Sequence, residues 1–166
     1  MSTRSKYYLV SKQENRANIP KTDVIMKQSH TYGRYVRRSL ELFFDHGERA
    51  ITIRAKERIF NEALKVAKVI RESVDGLHQI IETREEEIAN VYEPMEEGLT
   101  TVVEKFYVSV IEIVLTKEPT IEQKQSKGYR PYDPMGDERN FMTKEEWEME
   151  KEYKEKKKAL LSMRGV

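Results

Sequence analysis

The stretch "RAITIRAKERIFNEALKVAKVI", residues 49–70, changes its period halfway along. Up to Ala55 the residues alternate, with Ile51, Ile53 and Ala55 on one side and Ala50, Thr52 and Arg54 on the other. A two-residue period is that of a half-buried strand. Beyond it the apolar positions recur at three and four, so Phe60, Ala63, Leu64, Ala67 and Ile70 predict one face of a helix over roughly 59–74, with Gly76 ending it. Arg54, Lys56 and Arg58 crowd the turn between the two, interleaved with Glu57 and followed by Glu62. A strand passing straight into a helix is the unit of an α/β domain, and the helix start offers backbone N–H groups to a phosphate.

Working outward, "TDVIMKQ" (22–28) alternates with Val24 and Met26 on one side and predicts a first strand. "SHTYGRYVRRSLELFFDHG" (29–47) predicts a first helix, with Ser29 or Thr31 as cap and Val36, Leu40 and Phe43 or Phe44 as its apolar stripe. Gly47 stands where a helix ends. Downstream, "LHQIIETREEEIANVYEP" (77–94) and "TTVVEKFYVSVIEIVLTK" (100–117) predict two long strands joined as a hairpin. The order β-α-β-α-β-β predicts a two-layer α/β sandwich, with helices on one face of a small mixed sheet.

The composition sets the ends apart. Residues 1–20 are polar and form an N-terminal arm; 21–119 form the domain; 120–142, rich in Gly and Pro, form a linker or docking peptide; 143–163 form a charged helix opened by the capping box Thr143–Glu146. The chain of 166 residues has 30 basic and 29 acidic residues, but residues 76–119 hold only 3 basic against 10 acidic ones. Basic surface therefore belongs to the first half, and the hairpin is acidic.

With no cysteine and three scattered histidines, neither a disulfide nor a metal site is expected. Paired histidines, a reactive cysteine and a glycine-rich phosphate loop are all missing, so no catalytic residue, enzyme activity or cofactor is expected. No apolar run approaches the roughly 20 residues that span a bilayer, and no secretory leader is evident, so a soluble protein of the cytoplasm or nucleus is expected.

"ITIRAKERIFNEALKVAKVIRESVDGLHQI" (51–80) and "FYVSVIEIVLTK" (106–117) resemble the Alba family of nucleic-acid-binding proteins. The likeness runs from about Thr22 to Glu118. The family's basic strand-to-helix hinge falls on Arg54, Ala55, Lys56, Glu57, Arg58 and Ile59, and its last strand on Val108, Ser109, Ile111, Glu112 and Ile113. "GLHQ" (76–79) and "YEPMEEGL" (92–99) are similar to words at the start and tip of the hairpin in eukaryotic members. There are departures. Glu57 replaces the hinge glycine, Asn61 and Glu62 replace a serine and a lysine, and Ser29 and His30 occupy the place of the paired lysines of archaeal members.

The resemblance implies an Alba-like fold, a homo- or heterodimer with another Alba-like chain, and binding of RNA, or of DNA. Eukaryotic members include subunits of the RNase P and RNase MRP particles and cytoplasmic messenger-RNA-binding proteins. The expected contacts are Lys27, Arg54, Lys56, Arg58 and Asn61. Arg34, Arg37 and Arg38 either extend that face or form the wet side of the first helix. Tyr7, Tyr8, Tyr32 and Tyr35 are candidates for stacking on unpaired bases, although Tyr35 also suits the core. In the C-terminal stretch Phe141, Trp147 and Tyr153 are candidate anchors for a protein partner bound through residues 120–166. The alternative is an architectural subunit of a large assembly, for example ciliary or cytoskeletal, that kept the fold and lost the nucleic acid.

Overall fold

The computed structural model describes residues 7–13, 19–27, 30–134 and 141–164. The elements are β1 (Tyr7–Gln13), β2 (Asp23–Ile25), α1 (Tyr32–Phe44), β3 (Ala50–Lys56), a 3-10 turn (Glu57–Ile59), α2 (Phe60–Ser73), β4 (His78–Pro94), β5 (Val102–Thr116), α3 (Ile121–Gln125), β6 (Tyr129–Arg130) and α4 (Lys144–Met163). The sheet runs β1-β4-β5-β3-β2, with β6 also paired to β4. β2 and β3 are parallel, which requires the crossover that α1 supplies. The other pairs are antiparallel, and β4 and β5 form a long ribbon in register from His78↔Thr116 to Tyr92↔Val102.

The core lies between one sheet face and the two crossover helices. Ile51, Ile53 and Ala55 of β3 meet Ile111, Ile113 and Leu115 of β5, all 4 % exposed or less. From α2 they are covered by Ala63, Val66, Ala67 and Ile70, each fully buried. The alanines let the helix axis come close to the sheet. The sequence stripe is thereby rotated, because Val66 is inside and Leu64 is 40 % exposed. On α1 the buried set is Tyr35, Ser39, Leu40, Leu42 and Phe43, and the polar Ser39 is satisfied by donating to the Tyr35 carbonyl at 2.8 Å. Thr31 occupies the N-cap of α1 without a side-chain cap bond, and Ser29 lies outside the described residues.

The arm and the linker both contain structure. β1 adds a strand to β4, so residues 7–13 are part of the sheet. In the linker, Thr120 and Gln123 form a capping box for α3. β6 then approaches β4 so closely that only glycine fits at 128. The Ile81 N–H donates to the Gly128 carbonyl at 3.1 Å, and a Cβ on Gly128 would sit 1.9 Å from the Ile81 carbonyl oxygen.

His78 holds the next turn. Its Nδ1 accepts from the Tyr132 N–H at 3.2 Å and faces the Tyr129 hydroxyl at 2.8 Å, while the Tyr129 ring stacks on it. A backbone N–H only donates, so the ring is neutral with its proton on Nε2. Burial, and then the nearby Lys124, push the His78 pKa below its ordinary value. The unfolded chain therefore takes up this proton first. The stabilisation is complete above the ordinary value near 6.5 and shrinks as the pH falls from there through the lower folded pKa. We expect the Tyr132 amide to exchange faster at about pH 5.5 than at about pH 7.5, after correction for intrinsic rates, and His78→Phe to remove that difference. A pH-independent protection factor in the wild type would rule this out.

Trp147 is not a partner anchor. It is 2 % exposed and stacks on Phe44 with ring centroids 5.9 Å apart. Its Nε1–H donates to Asp45 Oδ1 at 3.0 Å, and Lys151 Nζ meets Asp45 Oδ2 at 3.1 Å. Burial raises the Asp45 pKa, but the hydrogen bonds from Lys151 and Trp147 outweigh it and leave it below the ordinary value. Just before the helix, the Met142 N–H donates to the Ser73 carbonyl at 2.7 Å. The charged helix thus docks on its own domain through its first turns. Phe141 is half-buried and packs against Tyr132. Tyr153 alone of the three expected anchors is exposed, at 66 %.

Candidate nucleic-acid interface

The end of β2, the start of α1 and the 3-10 turn surround a concavity of about 170 Å³. Lys27, His30, Tyr32, Arg58 and Glu62 line its rim, with Tyr35 and Ile59 at its base. Tyr35 positions Lys27 through the backbone. Its hydroxyl accepts from the Lys27 N–H at 2.6 Å and donates to the Lys27 carbonyl at 2.9 Å. Tyr32 is 40 % exposed and donates to the Lys65 carbonyl at 3.2 Å. Burial and then Glu72 raise its pKa, so the hydroxyl stays protonated. Arg34 donates to His30 Nδ1 at 3.1 Å, which leaves the His30 Nε2–H to point elsewhere. Arg58 is exposed and makes no ion pair with another described residue. Two cations face one carboxylate, Glu62, so the rim carries a small positive excess.

The basic hinge divides. Alternate residues of a strand share a face, so Arg54 and Lys56 stay on the side of β3 away from the helices. There Arg54 Nε lies 3.1 Å from Asp23 Oδ2 and 3.7 Å from Glu112 Oε1. Arg84 continues the row, 2.8 Å from Glu112 and 2.9 Å from Glu86. Arg54 is therefore paired with carboxylates of its own sheet, on the face opposite the concavity. Lys56 is half-buried on the same face and also has an interaction within the chain. After Lys56 the 3-10 turn buries Ile59 and carries Arg58 round to the helix side. Asn61 is exposed on the first turn of α2, outside the concavity's lining.

Of the five expected contacts, the fold brings Lys27 and Arg58 together and sends Arg54 and Lys56 to the opposite face. Arg37 and Arg38 both pair with Glu41, at 3.3 and 3.7 Å, as the wet side of α1. Tyr7 and Tyr8 lie in β1, whose side chains are outside the described residues. His30 and Glu62 as rim groups emerge only from the fold, although both were visible in the sequence as departures from the Alba pattern. Among the described residues no group of three His, Cys, Asp or Glu side chains is placed to hold a metal, and no helix is long and apolar enough to cross a membrane.

No family model matches the chain. It is 26 % identical over 119 residues to the DNA/RNA-binding protein ALBA1 of Plasmodium falciparum, covering 72 % of this chain and 47 % of that protein. The chain thus spans about half the length of this curated relative. The crystal structure of ALBA1 from Trypanosoma brucei superposes with a TM-score of 0.51 at 17 % identity, covering 89 % of this chain and 94 % of that one. Alba from Thermoplasma volcanium aligns more weakly, with a TM-score of 0.38 and 20 % identity over 57 % of this chain and 98 % of its own. The mixed α/β fold, a twisted sheet covered on one face by two crossover helices, is the Alba fold. The chain is thus similar in sequence to an ALBA1 protein and in fold to an ALBA1 structure. The relative is named as a binding protein and not as an enzyme.

Proposed function

We propose that this chain is a non-catalytic nucleic-acid-binding protein whose ligand is RNA, acting as a dimer within a ribonucleoprotein of the cytoplasm or nucleus. The observation that carries the reading is the concavity where Lys27 and Arg58 meet beside the exposed ring of Tyr32. Two cations hold successive phosphates, and an exposed aromatic ring lining the same concavity suits an unpaired base. The likeness to a relative named DNA/RNA-binding protein supports the same chemistry.

The test is a salt titration of binding to a single-stranded RNA, alongside a single-stranded DNA of the same sequence. Lys27→Glu with Arg58→Glu removes two phosphate contacts and should flatten the slope of log K against log salt by about 1.4, at about 0.7 for each single-strand contact. Affinity at physiological salt should fall about tenfold or more across all sequences. An unchanged slope in a folded variant would overturn the assignment of this rim. Equal binding of DNA and RNA would remove the preference for RNA.

A second reading has its own support. Asp23 and Glu112 occupy Arg54, and the ribbon exposes Glu85 and Glu87 where a phosphate-binding arm would be basic. These favour an architectural subunit, for example of a cilium or the cytoskeleton, that kept the fold without the ligand. Wild-type protein that binds neither RNA nor DNA at physiological salt would select it.

A further inference from the structure

α4 has two faces. Trp147 and Lys151 are on the side turned to α1, where they meet Phe44 and Asp45. At 100° per residue, Met149, Tyr153, Lys156, Leu160 and Met163 fall on the opposite side. Their spacing is four, three, four, three, which is the seam of a two-stranded coiled coil. Four of the five are large and apolar, and they are 69, 66, 61 and 84 % exposed for Met149, Tyr153, Leu160 and Met163. Among the described residues nothing covers them. Isolated apolar side chains on a surface need no explanation, but a seam over two heptads of an otherwise charged helix does.

The charges along the same helix identify what covers it. Residues 144–153 hold 5 acidic and 2 basic side chains; residues 154–164 hold 1 acidic and 5 basic ones. A parallel pair of such helices sets acid against acid and base against base. An antiparallel pair sets each half against its opposite, and a two-fold contact demands this self-complementarity. We propose that α4 pairs antiparallel with α4 of a second copy of this chain, about an axis near Lys156. Met149 then faces Met163 of the second copy, Tyr153 faces Leu160, and Glu150 lies near Arg164. Lys156 meets its own equivalent at the axis, a local cost eased by laying its stem along the seam with the ammonium in water. A seam this short gives a weak, concentration-dependent contact.

The inference is independent of the nucleic-acid reading, because its test reads mass and cross-linking between copies and involves no RNA. Light scattering across a dilution series of the full chain should show wild-type protein at high concentration with twice the mass of Tyr153→Glu/Leu160→Glu. Both residues are exposed, so the variant keeps its fold, which circular dichroism verifies. Lys156→Leu should double its mass at a lower concentration than wild type. The chain has no cysteine of its own, so a single one reports geometry. Under mild oxidation Lys156→Cys should cross-link between copies. Met149→Cys should not, because antiparallel pairing holds it about 20 Å from its equivalent, at about 1.5 Å per residue. Equal masses for wild type and the double variant at every concentration would overturn the proposal, as for a helix reserved for another protein. Cross-linking through Met149→Cys as readily as through Lys156→Cys would overturn the antiparallel geometry.

Discussion

Trp147→Ala should lower the free energy of unfolding by about 3–5 kcal/mol, the loss usual for a buried large aromatic. The side chain is 2 % exposed and ties the first turns of α4 to the end of α1 through the stack on Phe44 and the bond to Asp45. Its removal leaves Phe44 open on one side and Asp45 with Lys151 alone. The remainder of α4 offers little to compensate, since residues 152–164 are exposed throughout. Trp147→Phe is the milder change. It keeps a stacked ring but loses the Nε1–H bond and part of the buried ring volume, so it should cost less than Trp147→Ala, about 1–3 kcal/mol. Denaturant midpoints of the three proteins make the measurement. If Trp147 were an anchor for another protein, Trp147→Ala would leave the midpoint unchanged.

The second large effect is expected at Arg54→Met. The substitution keeps the apolar stem and removes the charge beside Asp23, whose side chain is only 4 % exposed. Leaving one member of a fully buried pair uncompensated costs about 3–5 kcal/mol; Arg54 keeps 32 % of its side chain in water, so about 2 kcal/mol is expected at neutral pH. The pH dependence follows from Asp23. Burial raises its pKa, against the pull of Arg54. In the fold the protonated form is therefore favoured more than in the unfolded chain. The cost of holding Asp23 ionised is full at neutral pH and disappears as the pH falls through the folded pKa and then the ordinary value of 3.8. Removing Arg54 takes away an influence that lowers this pKa. The deficit of the variant should be largest near neutrality and narrow in mildly acid solution, as the carboxyl of raised pKa takes up its proton. Adding Asp23→Asn should recover most of it. Chemical denaturation in neutral and in mildly acid solution is the check, and an equal deficit in both would mean that Asp23 is not the group responsible. RNA affinity of the folded Arg54→Met protein should match wild type, because the guanidinium lies on the face opposite the concavity.

Much of the fold was legible because its signals are local. The alternation of Ile51, Ile53 and Ala55 and the three-and-four spacing after Phe60 placed β3 and α2 within a residue or two. β1, α3 and β6 were not legible. β1 exists because β4 outruns the helix-covered part of the sheet and offers it an edge from Ala89 to Pro94. β6 is two residues long and depends on one glycine close to Ile81. The helical stripe differs at one member, Leu64 for Val66, because both fit the period and only the sheet decides which one faces it. In the candidate site, the run Arg54, Lys56 and Arg58 read as one basic corner. The strand sends its alternate members to the far face, and only the break after Lys56 returns Arg58 to the helices.

By itself the sequence determined the α/β class, the order of the central elements, the Alba resemblance and the uneven spread of charge, all properties carried by residues within a turn or a strand of each other. Only the tertiary structure decided that Arg54 belongs to Asp23 and Glu112, that Lys27 shares a rim with Arg58, and that Trp147 seals its own domain. The reason is that a charge or a ring takes its partner from whatever the sheet and the crossovers bring beside it, and those neighbours lie far away along the chain.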